Sequence, residues 1–296
     1  MLEYSLIIIS TILFGGQFIA LSAYQNKNGK SYGSIFLFCT LFSLVGAFTF
    51  IALNAFKLSF SPYTLLYAFI AATIQLFLQV VGIKALSMGR VEIYSLFNVA
   101  GGMSVAYIFG ITYFKEPIYA SHIIGLVLVL LALLVPIIFD NKNKQKSRII
   151  FWILCFLVFL ANGMFGVTNK MHITSGNGLS IKEYMFYMYI SLSVLSMFSF
   201  GIVNIFLKGK GTKELFDKKA IIFAILYGLL NSVGMFLQYS YADKIPASIL
   251  FPLSNGGCIV FGLIIGCIAY RRKPTLPDII QILVAISGMV FFFVTF

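Results

Sequence analysis

The sequence predicts an all-α integral membrane protein, with ten transmembrane helices arranged as two inverted five-helix repeats. Three observations lead there. The first is apolar load: of 296 residues, 60% are hydrophobic and only 10% charged, and the mean hydropathy is +0.99. A soluble domain carries about 25% charged residues and needs a polar skin that this composition cannot supply. The second is the grouping of apolar residues into ten long runs. The third is the similarity of the second half to the first.

The runs are expected at Tyr4–Tyr24, Gly33–Phe56, Tyr63–Leu86, Val91–Phe114, Tyr119–Phe139, Ile149–Met171, Ile181–Leu207, Ala220–Ala242, Ala247–Tyr270 and Pro277–Phe296. Each holds about 20–27 residues, enough at a helical rise of ~1.5 Å to cross ~30 Å of hydrocarbon. Strands of a membrane barrel would be about ten residues long and alternating. In lipid the backbone must satisfy its own hydrogen bonds, so such runs become helices. Pro62, Pro117, Pro274 and Pro277 fall near run ends, while Pro136 and Pro246 lie in or at the edge of runs. Pro252 sits well inside the ninth run, where a kink is expected. Glu3 and the lack of a basic stretch before the first run argue against a cleavable leader.

The formal charge is +12 and the isoelectric point about 9.5. The basic residues lie between the apolar runs, so membrane orientation explains them and no nucleic-acid partner is expected. Sixteen of the 21 Lys and Arg residues fall at odd-numbered connections, among them Lys84, Arg90, Lys142, Lys144, Lys146, Arg148, Lys218, Lys219 and Arg271–Lys273. Only Lys57, Lys115, Lys170, Lys182 and Lys244 fall at even-numbered ones. That bias places odd connections in the cytoplasm and both termini outside, in a multi-pass protein of a bacterial-type inner (plasma) membrane.

Shifted by 157 residues, Ala85–Leu134 lies on Ala242–Phe291 without a gap. Ala85, Leu96, Asn98, Tyr113 and Pro117 meet Ala242, Leu253, Asn255, Tyr270 and Pro274. Phe14-Gly15-Gly16-Gln17-Phe18 resembles Ala161-Asn162-Gly163-Met164-Phe165 in the same way. The domains expected are a first five-helix repeat over residues 1–139, a basic cytoplasmic linker over 140–148, and a second repeat over 149–296. Five spans per half, an odd number, turn the second half upside down, as in many secondary transporters.

The run Ala85-Leu86, then Lys115-Glu116-Pro117, then Gly125-Leu126-Val127-Leu128-Val129, resembles the EamA-type proteins of the drug/metabolite transporter superfamily. Ala242, Pro274 and Gly288 hold corresponding places in the second half. Arg271-Arg272-Lys273 stands where that family often has Glu, and the fourth run lacks the proline that Pro252 gives the ninth. The resemblance implies a ten-helix inverted-repeat carrier, often an exporter of amino acids, other metabolites or drugs.

No catalytic constellation is present: there is no HExxH, no phosphate-binding Gly-rich loop with Lys, and no dinucleotide fingerprint. No cofactor and no metal are therefore expected. Cys39, Cys155, Cys258 and Cys267 lie inside apolar runs without CxxC spacing and read as buried free thiols. His122 and His172 fall near run ends and read as solvated interface residues. Glu92 and Glu183 start runs, where an acid complements the helix dipole. The 32 phenylalanines read mostly as lipid-facing bulk.

Polar side chains within the runs carry the functional signal. Gln17, Gln75, Gln79, Asn162 and Asn231 lie near mid-span, with Asn98, Gln238 and Asn255 somewhat off centre. An amide facing lipid costs several kcal/mol, so these eight should face a cavity or another helix. Helix–helix hydrogen bonding and solute binding both explain them. Gln75 and Gln79 share a helical face, and Asn98 and Asn255 are repeat partners. Each of the latter is followed by glycines, Gly101-Gly102 and Gly256-Gly257, which permit close packing or expose backbone to solute.

The expected function is a secondary transporter that moves a small neutral or zwitterionic metabolite, an amino acid or similar solute, or drugs, across the cytoplasmic membrane by alternating access, as efflux. Its cavity should lie between spans 1, 3, 4, 6, 8 and 9. The partners are that substrate and membrane lipids, and a homodimer is compatible with the sequence. An intramembrane lipid-modifying enzyme would need clustered His, Asp or Ser at one depth, and a receptor or scaffold would not need an inverted repeat.

Overall fold

The computed structural model describes residues 2–29, 31–89, 91–139, 149–206 and 217–294. The basic segment 140–148 and Lys208, Lys210 and Lys213 lie outside the described residues, as does the side chain of Glu92. Among the described residues ten α-helices follow in order: α1 Leu2–Asn28, α2 Tyr32–Leu53, α3 Pro62–Leu86, α4 Val91–Thr112, α5 Ala120–Phe139, α6 Ile149–Thr174, α7 Ile181–Phe206, α8 Lys218–Tyr239, α9 Ala247–Ala269 and α10 Leu276–Val290. Every one is long and apolar enough to cross a membrane, so the chain reads as a multi-pass membrane protein.

Local chemistry sets the helix ends. Ser31 caps α2 by accepting from the Ser34 amide, and Ser61 caps α3 through Thr64 with Pro62 in the first turn, each satisfying a donor that no preceding turn can reach. Asp217 accepts from the Lys219 and Ala220 amides, which starts α8 two residues before the expected Ala220. Helix α2 stops at Leu53, short of the expected Phe56, because Ala55 and Phe56 turn to φ 51° and 59°, a left-handed backbone that cannot continue the helix. Helix α10 ends at Val290 and tightens into a 3-10 turn at Phe291–Phe293.

Helix α2 packs on α7 and α8, α1 on α8 and α9, α3 on α6 and α7, α4 on α6 and α9, and α5 on α10. Where α4 meets α6 the backbones nearly touch: a Cβ on Gly101 would lie 2.0 Å from the Phe159 carbonyl oxygen. At the α5–α10 crossing the relation is reciprocal. A Cβ on Gly125 would meet the Gly288 oxygen at 2.7 Å, and one on Gly288 the Gly125 oxygen at 2.8 Å. Small residues give membrane helices their close approach, because lipid tails leave little hydrophobic drive between helices.

The phenylalanines divide, contrary to the expectation that most would face lipid. Phe48, Phe60, Phe198 and others are exposed, but Phe38, Phe42, Phe50, Phe151 and Phe292 are fully buried. Phe38 and Phe42 form an aromatic cluster with Tyr227 at centroid distances of 4.8 and 5.0 Å, tying α2 to α8. Cys39 and Cys155 are buried free thiols, whereas Cys258 and Cys267 are half-buried. Neither histidine is solvated. His122 and His172 are each 1% exposed, and the His172 ring stacks on Tyr184 at 4.0 Å while its Nε2 lies 3.0 Å from Thr64 Oγ1. The aromatic rings at these helix ends cover the imidazoles, which periodicity along one helix could not reveal.

Candidate functional site

All eight amides singled out from sequence line one cavity of about 190 Å³ in the middle of the bundle. Gln17 comes from α1, Gln75 and Gln79 from α3, Asn98 from α4, Asn162 from α6, Asn231 and Gln238 from α8, and Asn255 from α9. The six expected helices contribute, and so do α2 through Phe42 and α7 through Met188, Tyr189 and Leu192. Helices α5 and α10 do not reach it. The wall carries amides, tyrosines, phenylalanines and methionines, with no acidic or basic side chain among the described residues.

The amides divide into two kinds. Tyr189 Oη donates to Asn231 Oδ1 at 2.5 Å, and Asn231 Nδ2 donates to Gln17 Oε1 at 2.8 Å. This relay joins α7, α8 and α1 and is a structural tie. Asn162 Nδ2 donates to the Asn98 carbonyl at 2.7 Å, a second tie from α6 to α4.

Asn98 and Asn255 behave differently. Asn255 Nδ2 bonds only backward to its own helix, at Phe251 O, 2.9 Å away, and the Asn98 Oδ1 has no partner although it is shielded from solvent. Ser254 Oγ, also on the wall and buried, is likewise unpartnered. Buried polar atoms are rarely left unpaired, so these two stand out on the wall as hydrogen-bonding capacity that the protein itself does not use. Gly102 stands between the two helices' amides: a Cβ there would meet Asn162 Nδ2 at 2.8 Å and the Asn255 amide at 3.1 Å. Gly102 thus keeps room in the cavity, whereas Gly101 serves packing. Gly256 and Gly257 face Met289 and Thr11 side chains and serve packing as well.

Sequence reasoning missed Tyr94 and Tyr189 on the cavity wall, and a polar cluster above it. Lys170, read as a loop-side charge, is 3% exposed. Its Nζ donates to Glu116 Oε1 at 3.2 Å and to Ile245 O at 2.7 Å, and lies 5.2 Å from the Phe114 ring centroid. The Glu116 carboxylate also accepts from the Ala247 and Ser248 amides at 2.5 and 2.8 Å, at the first turn of α9. Those amides have no partner within α9, and an anion there is favoured by the helix dipole. Burial pushes the Glu116 carboxyl upward, but Lys170 and the two amides outweigh it and hold it below the usual carboxylate range. Beneath this pair, Asn169 accepts from Tyr184 Oη at 2.6 Å and donates to Tyr239 Oη at 3.4 Å. Glu183 is more than a helix-start acid: it accepts from the Ser59 amide at 2.8 Å and Ser180 Oγ at 2.8 Å, joining α7 to the α2–α3 connection. The signal for the cluster was Glu116 itself, the acid of the Lys-Glu-Pro turn. Its partners are distant in sequence.

The fold has solved counterparts. No family model matches the chain, and no curated protein matches it. Among solved structures, 28 chains match. One, described as "Crystal structure of protein", superposes with a TM-score of 0.72 over 98% of this chain and 95% of its own, at 12% identity. At that identity the likeness concerns the fold alone.

Proposed function

We propose that the protein is a secondary carrier of the drug/metabolite transporter type, moving a small neutral or zwitterionic solute across the membrane by alternating access. The observation that carries this reading is the convergence of all eight in-span amides, from six helices, on one cavity whose described wall bears no charged side chain. Hydrogen-bonding groups without net charge suit solutes that are themselves uncharged or internally balanced, since an unpaired ion in such a site would be poorly compensated.

The packing supports two inverted repeats. Advancing each helix number by five turns α1 on α8 into α6 on α3, α1 on α9 into α6 on α4, and α2 on α8 into α7 on α3, while α2 on α7, α4 on α9 and α5 on α10 map onto themselves. Asn98 and Asn255, repeat partners in sequence, then face the cavity from pseudo-equivalent helices. Such a pseudo-two-fold gives one site two related access paths. The test is flux into proteoliposomes carrying the purified protein, with a panel of labelled amino acids and other neutral metabolites. Saturable uptake or exchange of at least one compound supports the reading. No flux across the panel, with insertion verified, counts against it.

A further inference from the structure

We infer that the Glu116–Lys170 pair and the first turn of α9 form the latch of an extracytoplasmic gate, and that a charge difference between the repeats makes the cytoplasm-facing state the resting one. This rests on the carrier reading above and on the orientation expected from the basic residues.

Exposure along α4 and α9 shows which path is shut. Residues 93–100, the cytoplasmic half of α4, are all half-exposed whichever face of the helix they occupy. Their repeat counterparts, residues 250–257 in the outer half of α9, are all buried except Asn255. A helix that is part-exposed on every face has open space on its inner side as well as lipid on its outer side. Gln75, Leu78, Gln79 and Tyr94, toward the cytoplasmic end of the cavity, are half-exposed too. At the outer end Asn169, Lys170, Tyr184, Tyr239 and Leu250 are buried.

The latch crosses from one half of the chain to the other. Glu116 belongs to the α4–α5 connection, while Lys170, Ile245, Ala247 and Ser248 belong to α6, the α8–α9 connection and α9. Opening the outer path requires the start of α9 to leave α4 and α5, which breaks both backbone bonds to Glu116 and makes Lys170 give up either Glu116 or the Ile245 carbonyl. The groups facing Glu116 are Lys170 and, electrostatically, Tyr107 and His122.

The cytoplasmic path has no such latch in sequence. At the 157-residue shift the counterpart of Glu116 is Lys273, and α9's first residue, Ala247, corresponds to Arg90 beside the start of α4. A lysine is repelled by the helix N-terminus that a glutamate would hold. Arg272, next to it, is occupied by Asp278 of the first turn of α10 at 2.6 Å. One repeat therefore binds its partner's helix start and the other does not, which biases the equilibrium between the two facing states.

The native Cys258 on the cavity wall reports access. A membrane-impermeant maleimide would be applied to right-side-out and to inverted vesicles, with labelled Cys258 resolved from Cys267 by peptide mass spectrometry. Wild type should label faster from the cytoplasmic face. Glu116→Gln should raise labelling from the outside about tenfold, the effect of losing one charge-assisted contact on a two-state balance. Lys273→Glu leaves the outer latch intact. It should slow cytoplasmic labelling and raise outside labelling. Wild-type labelling that is faster from outside, or variants that leave both rates unchanged, would overturn the inference. Proteoliposome flux is scored separately: flux with unchanged labelling removes the latch alone, and gated labelling without flux removes the carrier reading alone.

Discussion

Replacing Asn231 with alanine and, separately, Asn98 with alanine should separate structure from recognition within one cavity. Asn231 accepts from Tyr189 Oη and donates to Gln17 Oε1. Its loss leaves a hydroxyl donor and an amide acceptor unpaired, on residues that are 1% and 9% exposed. Each orphaned group costs about 1–3 kcal/mol in a protein interior. Polar contacts between membrane helices average nearer ~0.6 kcal/mol, because the unfolded chain in the membrane also finds partners. A loss of roughly 1–3 kcal/mol in total is therefore expected for Asn231→Ala. Asn98 is different, since its Oδ1 holds no partner and the contact it does make, to Asn162 Nδ2, uses the backbone carbonyl that alanine retains. Asn98→Ala should cost less than about 0.5 kcal/mol of stability, the range for a side chain with no bond to lose. It should impair flux by roughly 5- to 150-fold, the equivalent of 1–3 kcal/mol for a lost solute contact. Reversible unfolding in mixed detergent micelles measures the first quantity and proteoliposome flux the second, on the same preparations. Equal destabilisation by both variants would refute the division of the amides, and unchanged flux in Asn98→Ala would remove that residue from the site.

Gly101→Ala should be destabilising by about 1–3 kcal/mol or more, since its Cβ would fall 2.0 Å from a backbone oxygen that no rotamer change can move; a thermal scan that matches wild type would contradict the close α4–α6 contact. Folded-state contacts depress the Glu116 carboxyl, so its contribution is complete above the ordinary carboxylate range and is lost as pH falls through the lowered value. Wild type should therefore lose stability on acidification by more than Glu116→Gln does, and parallel pH–stability curves would count against the pair. A cytoplasm-dependent reporter fused at Phe296 should be inactive if both termini are outside, and strong activity would reverse every connection. Glu92→Gln should leave flux within a few-fold of wild type, because an acid at a helix start contributes only about 0.3–1 kcal/mol; abolished flux with normal insertion would make Glu92 a coupling residue.

Hydropathy along the chain was enough to specify the helices and the depth of their polar residues. Ten long apolar runs admit no other spanning structure, because a backbone in lipid must close its own hydrogen bonds, and each run became a helix with ends displaced by a few residues. The displacements came from caps and from the left-handed turn at Ala55 and Phe56, which hydropathy does not register. The cavity residues were legible for the same reason: an amide has no favourable place against lipid, so Gln17, Gln75, Gln79, Asn98, Asn162, Asn231, Gln238 and Asn255 all had to point inward. Tertiary structure alone decided which of them hold helices together and which stay free, since Asn231 finds its partners 42 and 214 residues away in the chain. It also decided the fate of the charges near the helix ends. Lys170 and Glu116 look like ordinary solvated loop residues in sequence, and become a buried pair only because the start of α9 closes over them. Periodicity reports which face of a helix avoids lipid. It cannot report which distant side chain waits there, because that depends on how ten helices cross.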